Sequence, residues 1–243
     1  MDHQILLVKG IAIPDLKNAF LGTWICQNQK LPSNEVCDGI DNDCNGKVDD
    51  LGDTAIYDIV VAIDDSLSMN SIINNVQNAI NNFASVYSGS SNFKFALVRF
   101  TDIYQDNTVL LKLNFSNASV FNTAVMGMSS SNGGGNEASL DTPYVVADPN
   151  NLLGLSWRTG SKRVLIEFTD EEAQTYLNPP VTQLMAADAV VAAGIKTYIF
   201  NHPLLWLQFE NITNKSGGKM FDISEDYAHI LNNLNTVLQG VCK

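Results

Sequence analysis

The fold of this 243-residue chain is decided by the stretch Ile56-Tyr57-Asp58-Ile59-Val60-Val61-Ala62-Ile63, which runs directly into Asp64-Asp65-Ser66-Leu67-Ser68. The first part is almost continuously apolar, as expected of a strand that is covered on both faces. Residues 70–87 follow with apolar side chains at helical spacing. A buried strand, a polar turn and an amphipathic helix indicate the start of an α/β domain.

The same alternation of strand-like and helix-like segments continues to the end of the chain. Further strands are predicted at 93–100, 109–115, 162–169, 196–200 and 219–222. Further helices are predicted at 138–147, 181–193, 204–211 and 225–240. Pro143 must lie near the start of its helix or kink it, Gly194 suits a C-terminal cap, and Ser224 an N-terminal cap. The order of these elements predicts a doubly wound, mostly parallel α/β sheet.

Composition excludes some classes of partner. The formal net charge is −12, from 26 acidic and 14 basic residues, whereas nucleic-acid binding needs clustered Lys and Arg. No stretch approaches the roughly 18 apolar residues of a membrane span. The N-terminus lacks the basic start and the continuous apolar core of a secretory signal. We therefore expect no nucleic-acid partner and no membrane span, and either export by another route or a longer parent protein.

Three acidic clusters fall at the carboxyl ends of predicted strands. They are Asp64-Asp65-Ser66-Leu67-Ser68, Phe100-Thr101-Asp102 and Phe168-Thr169-Asp170-Glu171-Glu172. In doubly wound sheets, ligands bind in the crevice beyond those ends. The clusters are therefore expected to meet in space although they are far apart in sequence.

The first cluster has the chemistry of a cation loop. Alternate residues of an extended loop point the same way, so Asp64, Ser66 and Ser68 direct one carboxylate and two hydroxyls towards one point. Hard cations such as Mg²⁺ accept oxygen ligands and keep several waters. The ordinary alternative is that both serines only cap the following helix and that Asp170 caps another.

The string Asp64-x-Ser66-x-Ser68 resembles the metal-ion-dependent adhesion site of the von Willebrand factor type A (VWA) and integrin I-domain family. Members add a Thr, or in the β-integrin-like branch a Glu, from a Gly-rich loop, and an Asp after a later strand. The loop at 132–138 is similar to the branch with Glu, and Asp170 matches the last position. The resemblance covers roughly residues 55–240. It implies these adhesion-site ligands: Asp64, Ser66, Ser68, Glu137 and Asp170.

The resemblance implies an extracellular or cell-surface binding module rather than an enzyme. A cation, Mg²⁺ or else Mn²⁺ or Ca²⁺, would capture a carboxylate of a protein or glycan partner. The loop lacks the Thr that is common in the family, so the coordination is expected to differ. Asp102 and Asn132 occupy positions compatible with a second cation, whereas Ser71 and Ile72 replace the acids of a third site.

A second cation loop precedes the domain. Asp41, Asp43 and Asn45 occupy positions 1, 3 and 5 of an EF-hand-like loop, with the Lys47 carbonyl at position 7 and Asp49 at position 9. Position 12 is a glycine, so Asp38 or Asp50 would supply the remaining carboxylate. The string resembles the MopE-type metal-binding repeat of secreted bacterial proteins over about residues 22–51, which implies a structural Ca²⁺. The predicted division is 1–33, 34–53 for this loop, and 54–243 for the VWA domain.

The four cysteines are Cys26, Cys37, Cys44 and Cys242, and their pairing has three possible connectivities. The chain ends of VWA domains lie close together. That resemblance implies a bridge from Cys242 to one of the N-terminal cysteines.

Two other functions compete with the binding module. A Mg²⁺-dependent phosphatase of the haloacid-dehalogenase type would use an aspartate after a strand as nucleophile, but it needs a second Asp where this chain has Ser66. A structural subunit of an extracellular assembly, with calcium as a purely structural ion, would use the same domain. Sequence barely separates this last alternative from adhesion.

Overall fold

The structure is a computed structural model that describes residues 17–20, 23–26, 32–33, 42–44, 55–102, 108–130 and 135–242. Its strands are β1 Lys17–Phe20, β2 Thr23–Cys26, β3 Tyr57–Asp64, β4 Phe93–Phe100, β5 Val109–Ser116, β6 Lys162–Phe168, β7 Ile195–Asn201 and β8 Lys219–Asp222. Its α-helices are α1 Ile73–Val86, α2 Ala118–Met126, α3 Asp141–Val146, α4 Gln183–Ala192, α5 Glu210–Ser216 and α6 Tyr227–Cys242, with 3-10 helices at Ser68–Ser71 and Pro203–Gln208. In these ranges, no helix combines the length and apolar character needed to cross a membrane.

Six strands form one sheet in the order β5-β4-β3-β6-β7-β8. Every neighbouring pair is parallel except β4 and β5. From the central β3 the chain winds outwards through β4 to one side and, after β6, through β7 to the other. The crevice between β3 and β6 is therefore the switch point at which such sheets bind ligands. The predicted doubly wound, mostly parallel α/β fold is confirmed.

Helices cover both faces of the sheet, and each face has its own apolar core. Alternate side chains of β3 explain the division, because Ile59, Val61 and Ile63 point to one face and Val60 and Ala62 to the other. The first core is completed by α1, α2 and α6, the second by α3, α4 and α5. Burial on both faces accounts for the almost unbroken apolar sequence of β3.

A buried charge is neutralised at the amino edge of the sheet. Asp58 of β3 is fully buried, and its Oδ1 accepts a hydrogen bond of 2.7 Å from Nε of Arg158. Its Oδ2 accepts one of 2.7 Å from the Arg158 backbone N–H. The Arg158 guanidinium also donates to the backbone carbonyls of Tyr57, Ser91 and Asn92. This clamp joins the start of β3 to the loops before β4 and β6.

Most predicted elements are present, but three details of the prediction were wrong. Helix α2 was not predicted, although Asn117 caps it by accepting a hydrogen bond from the Val120 N–H. The predicted helix at 204–211 is instead the 3-10 helix Pro203–Gln208 followed by α5. Ser224 does not cap α6: it bonds to Asp222, and the Asp226 carboxylate accepts the His229 N–H at the helix start.

Only fragments of the N-terminal region are described. β1 and β2 pair antiparallel as a hairpin that was not predicted. Of the predicted calcium loop, Asp43 and Cys44 are described, and Cys44 is exposed and makes no disulfide bond to another described residue. The remaining predicted residues of this loop lie outside the described residues: Cys37, Asp38, Asp41, Asn45, Lys47, Asp49 and Asp50. Cys26 is the last residue of β2, and Cys242 that of α6.

Candidate metal centre

The centre lies at the carboxyl edge of the sheet, where β3 and β6 end side by side. Asp64 is the last residue of β3, and its register neighbours place it beside the end of β6. The Asp64 Oδ1 accepts a hydrogen bond of 2.9 Å from the Ser66 N–H. This contact turns the chain sharply after the strand, so that the Ser66 side chain stays at the sheet edge instead of continuing away from it.

A chain of hydroxyls connects the β3 loop to the β6 loop. The Ser66 and Ser68 hydroxyl oxygens are 2.8 Å apart, and Ser68 Oγ donates to Asp170 Oδ1 at 2.9 Å. Because a serine has one hydroxyl hydrogen, Ser66 is the donor in the first contact. Four of the five predicted ligands, those from the loops after β3 and β6, are therefore brought together at one place.

Thr169 is a member of this centre to which the sequence motifs assigned no role. Its Oγ1 donates a hydrogen bond of 2.8 Å to Asp64 Oδ2 and accepts one of 3.2 Å from the Glu171 N–H. It thereby fixes the Asp64 carboxylate and the loop that carries Asp170. Its place directly after the last residue of β6, beside the end of β3, was the signal available in the sequence.

Glu137 lies on a third loop, close enough for its charge to contribute to the raised pKa of Asp64. An isolated antiparallel bridge pairs it with Asp102, and the Ala138 N–H donates to the Thr101 carbonyl at 3.1 Å. Its side chain is fully buried, and neither carboxylate oxygen has a hydrogen-bond partner in another described residue. A buried carboxylate without a partner is costly unless a cation or a proton neutralises it. Asn132, the other residue predicted for a second site, lies outside the described residues.

Burial makes negative charge costly here. Burial raises the pKa of Asp64 to about 8, with a smaller contribution from the Glu137 charge, although hydrogen bonds from Ser66 and Thr169 act in the opposite direction. Burial, followed by the charges of Glu171, Asp102 and Asp170, raises the pKa of Glu137 to about 7. Burial also raises the pKa values of Asp170 and Glu171. A bound divalent cation would favour the charged form of each carboxylate.

The donors are oxygen atoms, which suits a hard cation. Within the described ranges, no three Asp, Glu, His or Cys side chains form a group that could hold a metal ion by themselves. A cation at this edge therefore needs the hydroxyls of Ser66 and Ser68, together with water, to complete its shell. The mixture of carboxylates and hydroxyls, next to the unpartnered Glu137 carboxylate, fits such an ion.

Ser139 joins the Glu137 loop to the Asp170 loop. Its buried Oγ donates to the Glu172 carbonyl at 2.7 Å and accepts a hydrogen bond of 3.3 Å from the Gln174 N–H. The Leu140 N–H donates to the Gln174 carbonyl at 3.0 Å, which adds a third link between the same two loops. The loops that carry the candidate ligands thus support one another.

The family model described as "von Willebrand factor type A domain" matches residues 58–236, a range that runs from the second residue of β3 into α6. The chain belongs to the von Willebrand factor type A family. The predicted family membership is thereby confirmed, whereas the MopE-type resemblance falls largely on residues that are not described. No curated protein sequence matches this VWA chain significantly.

Solved structures share the fold at low sequence identity. Proximal thread matrix protein 1 (PTMP1) from the mussel byssus superposes with a TM-score of 0.59 at 16% identity, over 77% of this VWA chain and 48% of its own. A second structure of that protein, with a zinc-occupied MIDAS motif, has a TM-score of 0.60 at 16% identity, over 77% of this chain and 46% of its own. The pilus adhesin SpaC from Lactobacillus rhamnosus GG, in an open conformation, has a TM-score of 0.57 at 14% identity, over 79% of this chain and 30% of its own. This chain therefore spans less than half of each of these proteins.

Proposed function

We propose that this VWA domain is a binding module that captures an acidic group of a protein or glycan partner through a divalent cation. Asp64, Ser66, Ser68, Glu137 and Asp170 would hold the ion, and the partner would supply a carboxylate oxygen. When bound, the ion provides an electropositive centre to which that oxygen can coordinate. The chain itself orients the ion and carries out no catalysis.

The observation that carries this proposal is the hydroxyl chain from Ser66 through Ser68 to Asp170. It brings neutral and charged oxygen donors from two loops to one edge of the sheet. Neutral hydroxyls leave a cation only partly compensated, so an outside carboxylate gains by completing the shell. Ser68 is exposed and Asp170 half-buried, so that a partner has access to the ion from solvent.

Mg²⁺ is the first choice for this ion, with Mn²⁺ and Ca²⁺ as alternatives, because the donor set contains oxygen only. In the mussel byssus protein, one structure holds zinc in the MIDAS motif. We retain a second cation at Asp102 and Asn132, and a structural Ca²⁺ in the loop at 34–53, as further parts of the proposal. The domain limits of 54–243 are also proposed.

An extracellular or cell-surface setting fits this function. The similar structures include a matrix protein of the mussel byssus and a pilus adhesin. Partners would then be surface proteins, glycans or other subunits of an assembly. Nucleic acid is not expected as a partner, given the net charge of −12.

Metal titration tests the first half of the proposal, that the candidate ligands hold a divalent cation. Metal-stripped wild type, Asp64→Asn, Asp170→Asn and the control Asp188→Asn are titrated calorimetrically with Mg²⁺, Mn²⁺ and Ca²⁺. Asp188 is a good control because it is an exposed acid on α4, where it pairs with Lys215. We expect wild type and Asp188→Asn to bind alike, and each of the other variants to lose one site. Binding that is unchanged in Asp64→Asn would refute this metal centre.

Water-proton relaxation tests the second half of the proposal, that the bound ion coordinates a carboxylate from outside the chain. Mn²⁺ at the centre should hold exchangeable water, and acetate should displace part of it and lower the relaxation enhancement. The control Asp188→Asn should respond in the same way, and Asp64→Asn should show neither effect. An ion that binds but does not respond to acetate would favour the alternative of a structural subunit with a structural ion.

A further inference from the structure

We propose that the partner is a protein segment in which an apolar side chain follows the acidic one, and that two exposed leucines next to the cation receive it. This inference rests on the proposed function and narrows its partner from proteins and glycans to proteins. The two leucines, Leu204 and Leu207, are called the leucine platform below.

The leucine platform lies on the same edge of the sheet as the candidate metal centre. It belongs to the 3-10 helix Pro203–Gln208, which begins two residues after β7 ends at the carboxyl edge. Leu204 is 84% exposed and Leu207 77% exposed, whereas most large apolar side chains of the domain are buried. The segment from His202 to Gln208 contains no acidic residue and no Lys or Arg. A surface of this kind favours an apolar contact.

The platform is held in place by hydrogen bonds on its inner side. The Trp206 indole N–H donates to the Asn201 carbonyl at 3.0 Å, and this ring packs partly buried against the second core. The Gln183 side chain donates to the Leu207 carbonyl at 2.9 Å. The His202 ring accepts the Leu204 N–H at 3.3 Å. The leucines are therefore displayed by a fixed turn, and their contact with a partner needs little ordering of the backbone.

Hydrogen bonds also connect the platform to the loop that carries Asp170. The Gln208 side chain accepts the Ala173 N–H at 2.8 Å, and the Asn201 side chain donates to the Glu171 carbonyl at 2.9 Å. In addition, the Thr169 N–H donates to the Phe200 carbonyl at 3.1 Å. These contacts hold the turn that carries the platform against the loop that carries Asp170, at the neighbouring ends of β6 and β7.

The charge of the loop between the metal centre and the leucine platform indicates which kind of partner residue would lie opposite it. Glu171 and Glu172 directly follow Asp170 in the loop that joins the centre to the platform, and Glu172 is exposed. A partner segment that crosses this loop gains from a Lys or Arg opposite the two glutamates. The complementary sequence therefore has an acidic residue at the cation, a basic residue over the glutamates, and a Leu, Ile or Phe on the platform.

An immobilised dodecapeptide array provides the probe. Each peptide keeps one Glu, and every other position is scanned through Leu, Lys, Ser and Asp. Labelled wild type, Leu204→Ser/Leu207→Ser and the control Leu152→Ser are applied in Mg²⁺ and in EDTA. Leu152 is 78% exposed in the loop before β6, at the opposite edge of the sheet, so its replacement makes one Leu-to-Ser change of the same kind at a distance from the platform.

We expect Mg²⁺-dependent binding with a preference for Leu on one side of the fixed Glu and for Lys between them. The double variant should keep the Glu and Mg²⁺ requirements but bind the Leu-containing peptides at least about fivefold more weakly, as expected for the loss of partly buried apolar contacts. Leu152→Ser should behave as wild type.

Mg²⁺-dependent binding without a Leu preference, or with one that survives the double substitution, would overturn the platform and leave the proposed function standing. Failure of every peptide to bind wild type would also overturn the proposal of a leucine platform. A parallel array of acidic glycans provides the remaining arm. If glycans bind in Mg²⁺ equally well to wild type and the double variant while peptides do not, the partner is a glycan. Binding that is insensitive to EDTA on both arrays would instead count against the proposed function itself.

Discussion

Ser68 Oγ donates a hydrogen bond of 2.9 Å to Asp170 Oδ1, although 102 positions separate the two residues in the chain. Adjacent parallel strands bring this about, because β3 and β6 end at the same edge and their loops emerge side by side. The contact is exposed, and by itself contributes little to folding. Its value lies in setting two oxygen donors at a fixed separation where an ion can use both.

Replacing Ser68 by alanine should therefore weaken Mg²⁺ or Mn²⁺ binding by about tenfold, since it removes one donor and releases Asp170. The thermal stability of the metal-free protein should change little because the hydroxyl is exposed. Calorimetric titration and thermal unfolding measure the two effects. Ser85→Ala is the matched control: Ser85 is exposed on α1, and its hydroxyl donates to the Asn81 carbonyl and accepts a hydrogen bond from Asn122 on α2. Equal metal affinities in the two variants would contradict the role given to Ser68.

Thr169→Val keeps the shape of the side chain but removes the donor to Asp64. We expect a loss of about 1–3 kcal/mol in the free energy of unfolding, because Thr169 is buried and the carboxylate loses a partner. Metal affinity should fall by about 10–100-fold, as for other residues that orient a metal ligand. Chemical denaturation and calorimetric titration report the two losses. Thr169→Ser should restore both, and a valine variant with unchanged metal affinity would show that Thr169 does not orient Asp64.

The stability of the metal-free protein should depend on pH in an unusual direction. The folded pKa of Asp64 is about 8 and that of Glu137 about 7, against ordinary values of 3.8 and 4.5. Between those limits the folded state holds protons that the unfolded state has released. The free energy of unfolding contributed by these groups therefore falls as pH rises from about 4 to about 8.

A saturating cation should remove this decline, because it stabilises the charged carboxylates. The increase in Tm on adding Mg²⁺ is thus expected to be small at pH 5 and larger at pH 8, as measured by calorimetric melting in EDTA and in Mg²⁺. Asp64→Asn should reduce the difference between the two pH values. A Mg²⁺ effect of equal size at both would contradict the assignment of these carboxylates to the ion.

The clamp at the amino edge should matter for stability and not for metal binding. Arg158→Ala leaves the fully buried Asp58 carboxylate without its cation, so we expect a loss of about 3–5 kcal/mol in the free energy of unfolding. Lys215→Ala removes an exposed ion pair with Asp188 and should cost about 0–1 kcal/mol. Urea denaturation compares the two variants. Metal affinity should remain that of wild type in both, and a large loss of affinity in Arg158→Ala would show that the two edges are coupled.

The sequence predicted the sheet well because the burial of a strand requires a recognisable pattern of apolar residues. A strand covered on both faces must be almost continuously apolar, and the acids after it cannot be part of that core, so 56–63 and the loop at 64–68 separate clearly. Helix α2 left a weaker trace. It is short and exposes Val120 and Met126, which blurs the contrast between its two faces. Its Asn117 cap was the readable signal.

The residues of the candidate site also differ in how well the sequence predicted them. Asp64, Ser66, Ser68 and Asp170 stand in a recognisable spacing after strands, and the fold brings them together. Their role as metal ligands stays a prediction, as does that of Glu137. Thr169 was not predicted, because a Thr directly after an apolar strand is ordinary. Its position at the strand end was a weak signal, and the hydrogen bond to Asp64 shows its role. Asp226 and not the predicted Ser224 caps α6, because Ser224 is already engaged by Asp222.

The two edges of the sheet treat a buried carboxylate in opposite ways. At the amino edge Asp58 is neutralised within the chain, whereas at the carboxyl edge Glu137 has no hydrogen-bond partner among the described residues. The Asp58 contact stabilises the fold at the amino edge. The uncompensated Glu137 carboxylate at the carboxyl edge needs a group from outside the chain, such as a bound ion, to neutralise it. Such a separation makes the domain evolvable: the loops at the carboxyl edge can exchange one ion or partner for another while the opposite edge continues to secure the fold.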